Sequence, residues 1–523
     1  MNVPVAGASG SALGGAGPLA GAGAGVSEAW GRVLAGARRI PRAGRICFLI
    51  AFVNAAIWGV VVPPFQVPDE VIHFAYAQYL AETGKPPPQG PLPQYSPEEQ
   101  ETLSALSFFS VIGHPQMHGI LTASEEAPLR AVRAAHPSPV GPGGSSSVTN
   151  QPPLYYALEA VPYWLSPSHE LLTRLAFMRL LSALMAACTV LVVFMFLREL
   201  LPGWRWAWTV GALAVAFQPT FDFISSGVQG DNLLFLTSAL TILMLMRTYR
   251  RGLNTRRAVL LGVVIAAGVL SKLTFIALLP GIALALLLLA WRALPEGRAR
   301  ALRLLATSAS VAAAPVLLYA LLNITVWHRG SPTAGGVAGA TNSTLASGNV
   351  VTLKESLDYI WELYLPRLSF MNHTFFSKDP VWEIWFNGSI GHFGWLDYSF
   401  PAWVYSDARD LFYVLAALAA LTLVRVRAGI ARMLPIFVCF GVMALGLLGA
   451  IGYAGLRYRL NTGDQFEQAR YLFPLLSFYA LFIVLAARGL GRRWAPVLGG
   501  ALVVLAMAHG LFAETLTISR YYG

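Results

Sequence analysis

Eleven apolar runs, most of them long enough to cross a lipid bilayer as a helix, constrain this chain more than any other feature. The hydrocarbon core of a bilayer is about 30 Å thick and is crossed by roughly 20 apolar residues. Hydrophobic residues make up 56% of the chain and charged residues only 12%, about half the ~25% typical of soluble domains. The sequence therefore predicts an all-α integral membrane protein and excludes a soluble enzyme. The runs lie at about 46–62, 180–197, 206–221, 232–246, 258–270, 273–291, 302–326, 411–424, 433–454, 471–487 and 496–513.

Arginines in the short connections between the runs predict the orientation of the chain. Cytoplasmic loops of membrane proteins are enriched in Lys and Arg. More than half of the 37 Lys and Arg residues fall in segments that one alternating topology places on the same side. This topology puts the N-terminus in the cytoplasm and the C-terminus outside. The net charge of +11 is then a topology signal, and no nucleic-acid partner is predicted.

The same topology divides the chain into four parts. The N-terminal Gly/Ala-rich segment cannot bury enough apolar surface to order itself, so a disordered tail is expected there. Two large loops fall on the external side, where any chemistry is expected to take place. The parts are a tail with a basic cytoplasmic segment (1–45), a transmembrane core (46–327) that includes the first external loop (64–170), a second external loop (328–410), and C-terminal transmembrane helices (411–523).

One long apolar stretch, residues 258–291, tests the predicted topology. As a single helix its 34 residues would measure about 51 Å, well beyond the ~30 Å hydrocarbon core. Arginine-rich segments flank it on both sides, so both ends are expected in the cytoplasm. The stretch must then cross twice, and the polar pair Ser271–Lys272 must form the turn between the crossings. Lys272 is therefore predicted at the external membrane face.

The sharpest local motif opens the first external loop, where an acidic pair, Asp69 and Glu70, follows the first apolar run. Pro68 and two carboxylates suit a helix N-terminus, so capping is one interpretation. A carboxylate at the membrane surface also suits a general base acting on a hydroxyl group of an acceptor. His73 lies four residues after Asp69, on the expected same face, and is a candidate for binding a sugar or acceptor.

Three cations are candidates for binding the phosphate of a donor at the outer surface: Lys272, Arg179 and Arg470. Each has a structural alternative. Lys272 can extend from a helix end to the interface, and Arg470 can anchor the tenth run. Arg179 lies just inside a run, where an ionisable group marks a functional site by default, or can pair with the first loop.

Further candidates for binding a sugar or an acceptor come from two other external segments. Asp231 follows a Gly/Ser/Gln turn, and caps a helix in the alternative interpretation. Trp395 and Asp397 belong to an aromatic-rich stretch that suits sugar faces, or else forms a belt at the membrane interface. No metal site is predicted, because the spacing His114–His118 has no third ligand nearby. No nucleotide-binding loop is present either, which favours a lipid-phosphate donor.

Seven segments in order carry a resemblance to a known enzyme superfamily. VPDEVIHFAYAQYLAETGKPP resembles the first external loop of GT-C glycosyltransferases, and NQPPLYYALEA and LAFMRLLSAL are similar to elements of protein mannosyltransferases and the aminoarabinose transferase. FISSGVQGDNLLFL, SKLTFIALLP, HFGWLDYSFPAWVY and EQARYLFPLL resemble a poorly characterised family of predicted polytopic membrane proteins within that superfamily. The resemblance runs from about residue 46 to 490.

Tyr155–Leu165 is apolar but too short to span the bilayer comfortably, and counting it as a span would break the alternation of the arginines, so an interfacial helix on the outer leaflet is predicted there. The resemblance implies a GT-C helical bundle, in which the eleven runs are the transmembrane helices and the two large external loops contain interfacial helices. It implies a hexosyl or pentosyl transfer, usually inverting, from a polyprenyl-phosphate donor to an extracytoplasmic glycan, lipid or protein. In the resemblance, Asp69 matches the residue that is taken as the general base in GT-C glycosyltransferases. Glu70 matches its neighbour, which positions the acceptor or helps to hold a divalent cation where one is used. A departing lipid phosphate needs cations more than it needs a general acid.

High Ala, Gly and Arg usage suggests a high-GC bacterium, so the expected location is the bacterial cytoplasmic membrane and the expected carrier is undecaprenyl or decaprenyl phosphate. Two other classes of function stay open at this point. One is a transporter or flippase of lipid-linked envelope intermediates, which would place polar residues within its spans. The other is a non-catalytic scaffold of an envelope-synthesis complex, which would have no need for an acidic pair together with external cations.

Overall fold

The computed structural model describes residues 40–88, 95–329, 352–369, 371 and 375–523, and these are mostly helical. Of the predicted N-terminal tail, residues 1–39 lie outside the described residues. The only strands within the described ranges form a short antiparallel pair, β1 (His392–Phe393) and β2 (Tyr398–Ser399), in which His392 faces Ser399. The described part of the chain is therefore an all-α protein with one small hairpin.

The helices follow one another closely and are labelled here in chain order. Those in the first half are α1 (Arg42–Val61), α2 (Glu70–Thr83), α3 (Pro97–Ala105), α4 (Phe108–Val111), α5 (Ala127–Ala135), α6 (Ser146–Thr149), α7 (Leu154–Leu165), α8 (Leu171–Leu200), α9 (Arg205–Ala216), α10 (Pro219–Ser225), α11 (Asp231–Arg251) and α12 (Thr255–Ser271). A 3₁₀ segment (Leu273–Leu278) leads into α13 (Leu279–Ala293), and a second one (Leu294–Glu296) precedes α14 (Arg298–Thr325). Then come α15 (Leu353–Tyr364), a π-helical segment (Val381–Asn387), α16 (Gly388–Gly391), α17 (Ala402–Arg425), α18 (Arg427–Thr462), a 3₁₀ segment (Ala469–Leu475), α19 (Leu476–Arg488) and α20 (Ala495–Tyr522).

Every apolar run is mostly helical, although the run at 206–221 is divided between α9 and α10. Eight helical stretches among the described residues are long and apolar enough to cross a membrane. The other three runs fall on shorter or more polar helices. Helix α9 has 12 residues, α12 has 17, and α17 carries charged residues near its start. The predicted break in the 34-residue stretch is present, because α12 ends at Ser271 and the next helical segment begins at Leu273.

The first span begins earlier than the apolar run does, at Arg42 instead of Ile46. Pro41 precedes the helix, where a residue without an N–H group costs no hydrogen bond. Long arginine side chains can extend from the first turn to water while their stems cover apolar surface. The helix therefore includes Arg42 and Arg45, which the apolar pattern alone excludes.

Helix α8 is the centre of the bundle. It packs against α1, α7, α9 and α11, and its inner residues join the main hydrophobic core. Elsewhere α13 approaches α18 so closely that a Cβ atom on Gly281 would lie 2.4 Å from the Met443 backbone nitrogen. Small residues of this kind allow membrane helices to pack backbone to backbone. The N-terminal part of α8 and the start of α11 carry two of the candidate site residues, Arg179 and Asp231.

The segment predicted as the first external loop, residues 64–170, folds onto the bundle around a second hydrophobic core. Aromatic side chains of α2 and α7, including Phe74, Tyr76, Tyr155 and Tyr163, are buried there. Residues 155–165, predicted as a separate helix, do form one in α7, which packs on α2 and α8. Its location at the membrane surface stays a prediction.

A buried carboxyl group, Glu159, links α7 to α8 by accepting a hydrogen bond from the Ser182 hydroxyl at 3.2 Å. Burial raises the pKa of Glu159 to about 8. The folded protein therefore holds a proton that the unfolded chain releases near pH 4.5, so stability should fall as the pH rises from about 5 to 8. We expect Glu159→Gln, which stays neutral, to remove this part of the pH dependence. Thermal unfolding in detergent across that range would measure it, and identical profiles for both proteins would contradict the assignment.

Candidate active site

A strained turn between α1 and α2 sets the direction of the two acidic side chains. Phe65 and Asp69 both have a positive φ of 64°, which is uncommon for residues other than glycine and persists only where the surroundings enforce it. Asp69 occupies the N-cap position of α2, yet its side chain makes no capping hydrogen bond. The capping interpretation therefore does not describe Asp69, whose carboxylate is free for contacts outside its own helix.

Glu70 and Arg179 form the buried support of this turn. The carboxylate of Glu70 accepts hydrogen bonds from Arg179 Nε and Nη2 at 2.8 and 2.6 Å, and from the backbone N–H groups of Phe65 and Val228. The guanidinium also donates to three backbone carbonyls at the end of α1 and just after it, those of Gly59, Val62 and Pro63. All five N–H groups of Arg179 are thus engaged with protein atoms, which leaves none directed at a donor phosphate.

Asp69 instead pairs with Arg470, at the start of the 3₁₀ segment that precedes α19. Arg470 Nη2 lies 2.5 Å from Asp69 Oδ2. The guanidinium is only 4% exposed, whereas the Asp69 side chain is 36% exposed. Burial by itself would raise the pKa of Asp69, but the positive charges of Arg470 and its neighbours hold the pKa below its usual value. Asp69 is therefore an ionised carboxylate that faces an accessible space.

A second ion pair lies beside the first. Lys272 Nζ is 2.6 Å from Asp231 Oδ1, and both side chains are largely buried. Asp231 is the first residue of α11, but it makes no side-chain cap there; the N-cap residue is Gly230. Lys272 sits at the break between α12 and the 3₁₀ segment, and it also contributes to the lowered pKa of Asp69. The Asp69–Arg470 and Lys272–Asp231 ion pairs therefore interact electrostatically with each other.

His73 completes this cluster as a neutral side chain. Its Nδ1 lies 2.9 Å from the hydroxyl of Tyr156, and the two rings are stacked with centroids 5.8 Å apart. Burial and the charge of Lys272 lower the pKa of His73 to about 3. His73 is thus uncharged at neutral pH and is 3% exposed. Because His73 is buried and contacts Tyr156, its role is to orient neighbouring side chains of the cluster. Direct contact with a sugar is not its role.

Unpartnered polar atoms remain inside the cluster. Arg470 Nε and Nη1 and Asp231 Oδ2 are buried but form no hydrogen bond. Buried donors and acceptors are nearly always satisfied in native proteins, so unsatisfied ones require an explanation. A cavity of about 280 Å³ opens next to Arg470 and is lined by Pro68, Thr220, Phe223, Ile224, Phe376, Ser377, Lys378, Pro380, Glu383, Ile384, Gly388, His392, Leu396, Gln465, Glu467, Gln468, Ala469 and Arg470. The free guanidinium donors and this cavity together have the character of a ligand site.

The structure therefore brings five of the candidate residues together: Asp69, His73, Asp231, Lys272 and Arg470. It uses Trp395 and Asp397 in other contacts. Trp395 packs edge-on against Phe108, and its indole lies 3.4 Å from the Phe65 carbonyl. Asp397 pairs with Arg520 at 2.8 Å, with both side chains almost fully buried.

A divalent cation at Asp69 and Glu70 does not fit these contacts. Both oxygens of Glu70 accept hydrogen bonds from Arg179 and the backbone. Among the described residues, no group of three or more His, Cys, Asp or Glu side chains has the arrangement of a metal site. We therefore derive no step through a metal ion.

Two residues that matter to the cluster were not found by sequence reasoning. Tyr156 orients His73, and Gln229 donates to the Pro68 carbonyl next to Asp69. Both lie within the resembling segments, but no spacing rule links either of them to Asp69. Arg520 was missed as well, although a charged residue near the C-terminal end of the last candidate span is a signal of a specific contact.

The sequence comparison establishes the family. Residues 52–479 match the family described as "Predicted membrane protein (DUF2142)". The chain belongs to this family, which confirms the resemblance to a poorly characterised group of predicted membrane proteins. A comparison with curated proteins found no match.

Among solved structures, the chain is similar to the oligosaccharyltransferase of Archaeoglobus fulgidus. Against the apo form the sequence identity is 13% and the TM-score 0.42, over 91% of this chain and 56% of the other. Against AglB of the same organism, in complex with an inhibitory peptide and a dolichol-phosphate, the identity is 14% and the TM-score 0.44, with 91% and 56% covered. The chain spans little more than half the length of these proteins.

Proposed function

We propose that the chain is a membrane glycosyltransferase that moves a sugar from a polyprenyl-phosphate donor to an extracytoplasmic acceptor. One observation carries the proposal: the ionised, partly exposed carboxylate of Asp69 lies 2.5 Å from a buried arginine with two unpartnered donors. A base and a phosphate ligand are the two groups that this reaction requires. The cavity beside them is lined by Arg470 and by Pro68, the residue before Asp69, and provides room for the sugar.

The donor phosphate would occupy the free face of the Arg470 guanidinium, with Lys272 as the second cation. Guanidinium groups bind phosphate through paired, charge-assisted hydrogen bonds. A bound phosphate places negative charge beside Asp69 and offsets the effect of Arg470, so the pKa of Asp69 rises when the donor is present. The carboxylate becomes a stronger base only in the complex that needs one.

In the reaction itself, an acceptor hydroxyl oxygen attacks the anomeric carbon and its proton passes to Asp69. The bond between the anomeric carbon and the phosphate oxygen breaks, and polyprenyl phosphate leaves with the electron pair. Arg470 and Lys272 stabilise the additional negative charge on the departing phosphate. Direct displacement from the opposite face inverts the anomeric configuration.

In this scheme Glu70 and Arg179 act as positioning residues. They hold the turn that directs Asp69 away from its own helix, and neither has a free group to offer the donor. Asp231 holds Lys272 in place and presents one free carboxylate oxygen. That oxygen is suited to accept a hydrogen bond from a sugar hydroxyl.

The proposal is tested by incubating purified protein with a panel of polyprenyl-phosphate sugars and following donor binding and sugar release. We expect at least one donor to bind and to be consumed. Binding of a donor without turnover would favour a transporter or flippase of lipid-linked intermediates. Folded protein that binds none of the donors would overturn the phosphate-site assignment.

Replacing the proposed phosphate ligands should weaken donor binding. Each charge-assisted hydrogen bond contributes about 1.5–3 kcal/mol, so Arg470→Gln or Lys272→Met should raise the Kd for the donor roughly 10- to 150-fold. Arg130→Gln is the matched control, because Arg130 is exposed on α5. Equal affinities for Arg470→Gln, Arg130→Gln and the unmodified protein would rule out the assigned role of Arg470.

A further inference from the structure

A second cationic side chain, Arg329, is buried just after the C-terminal end of α14, away from the Asp69 cluster. It has no carboxylate partner among the described residues. Arg329 is only 6% exposed. Its guanidinium donates instead to two neutral oxygens, Asn323 Oδ1 at 3.2 Å and the backbone carbonyl of Thr149. A buried charge normally has a partner of opposite sign, and here that partner is missing.

Unpartnered polar atoms lie within this guanidinium and beside it. Besides the hydroxyl of the neighbouring Tyr319, they are Arg329 Nε, Asn323 Nδ2 and Thr149 Oγ1, three atoms that are buried and make no hydrogen bond. They belong to residues that already contact one another, because Arg329 holds the same amide group and the same threonine through its other nitrogens. Two of the three are obligate donors and the third is a hydroxyl, which can also donate. The cluster therefore offers hydrogen-bond donors and one positive charge to a group that only accepts.

The neighbouring rings separate this cluster from the proposed active site. The charge of Arg329 reaches the phenol of Tyr76, which stacks on Tyr156 with ring centroids 3.6 Å apart. Tyr156 in turn contacts His73. On the α14 side, Tyr319 lies next to Arg329. An anion bound at Arg329 would thus be distinct from one bound at Arg470, with the ring stack between them.

We propose that Arg329, Asn323 and Thr149 form a second anion site that takes a phosphoryl group. Several donors that approach from different side chains match a tetrahedral oxyanion, and guanidinium is the preferred ligand of phosphate. Asn323 lies two residues before the end of α14, a candidate span that ends at Thr325, so the site is at headgroup depth. The phosphoryl group comes either from a phospholipid or from soluble phosphate. The inference does not depend on the proposed function.

Asn323→Asp is the decisive variant. It keeps the oxygen that accepts from Arg329 Nη1, removes the Nδ2 donor, and supplies the missing negative charge. We expect its melting temperature in phosphate-free detergent to be higher than that of the unmodified protein. We also expect it to lose any stabilisation by added inorganic phosphate. A misfolded protein would show the opposite of the first effect, so failure to fold and failure of the hypothesis are distinguishable.

Thr149→Val provides the graded test, because it removes only a hydroxyl that has no partner. The loss of one hydrogen bond to a charged acceptor corresponds to an increase of roughly 10- to 150-fold in the Kd for phosphate. Arg470→Gln serves as the control, since it removes the proposed donor site and should leave the effect of Asn323→Asp unchanged. Equal responses to phosphate in the unmodified protein and Asn323→Asp would overturn the assignment to soluble phosphate.

The source of the phosphoryl group is tested by native mass spectrometry from nanodiscs. If the phosphoryl group comes from a lipid, the unmodified protein released from phosphatidylglycerol nanodiscs should retain a bound phospholipid. The Asn323→Asp protein should not retain it. Nanodiscs of a phosphate-free galactolipid should give no such retained lipid. If neither inorganic phosphate nor phospholipid distinguishes the two proteins, there is no anion site at Arg329.

Discussion

Replacing Asp69 with asparagine should lower the rate of sugar transfer by a factor of about 10² to 10⁴, the usual contribution of a general base. Asparagine is nearly isosteric and tolerates the left-handed backbone at this position, so the turn is retained. The Arg470 guanidinium keeps an amide oxygen to contact. Donor binding should therefore survive while turnover is lost, and a comparison of single-turnover rates with donor Kd values measures this.

A matched control for this variant lies in the segment between α18 and Arg470. Asp464 is an exposed carboxylate there, and Asp464→Asn changes the net charge by the same amount without touching the cluster. Its transfer rate should equal that of the unmodified protein. Transfer by Asp69→Asn at the same rate as Asp464→Asn would remove Asp69 from the mechanism.

Breaking the Glu70–Arg179 pair should have the largest effect on stability. Glu70 is fully buried and Arg179 nearly so, and removing one partner of a buried ion pair costs about 3–5 kcal/mol. We expect Glu70→Ala to lower the free energy of unfolding by this amount, because Arg179 is left charged and buried. Denaturant or thermal unfolding in a defined detergent measures the change.

The double variant Glu70→Leu with Arg179→Met separates a supporting pair from a catalytic one. Well-packed apolar residues can replace a buried ion pair with little loss of stability, so this protein should recover much of what Glu70→Ala loses. The double variant lacks the hydrogen bonds from Arg179 to the carbonyl groups of Gly59, Val62 and Pro63. If the turn requires these hydrogen bonds, the transfer rate of the double variant should stay low although its stability recovers. A stability of Glu70→Ala equal to that of the unmodified protein would contradict the supporting role.

The membrane helices could be predicted well because their signal is local. Each apolar run is contiguous, and the break at Ser271–Lys272 follows from helix length, bilayer thickness, the flanking arginines and the polar pair itself. The exact helix ends could not be predicted, because they depend on side chains that extend along the helix and on neighbouring turns. The early start at Arg42 is one example. Another is the short pair α9 and α10, where Pro219 begins a new helix.

The candidate site could be predicted only in part because its contacts join distant parts of the chain. The sequence marks Asp69 and Arg470 separately, yet the partners of this ion pair are 401 positions apart in the chain. The sequence also treats Asp69 and Glu70 as one acidic pair. The positive φ of Asp69 sends the two carboxylates to different partners, and no composition or spacing rule predicts that backbone conformation.

The same reasoning explains the outcome at Asp397. An acidic residue among tryptophans suits a sugar site, but a buried carboxylate takes the nearest available cation. That cation is Arg520, which also donates to backbone carbonyls of the first external loop. Because Arg520 lies 123 residues further along the chain, the competition between the two interpretations is decided by tertiary packing.

The separation of Asp69 from Arg470 also has a consequence for how the protein is made. Chains are synthesised at about 5–20 residues per second, so the 401 residues from Glu70 to Arg470 take roughly 20–80 s. During that time Asp69 has already left the ribosome without its arginine. The ion pair closes only after the segment at Arg470 is inserted. A chain that stops before this segment consequently contains nearly the whole bundle but no complete charge cluster, so premature termination yields protein without an assembled site.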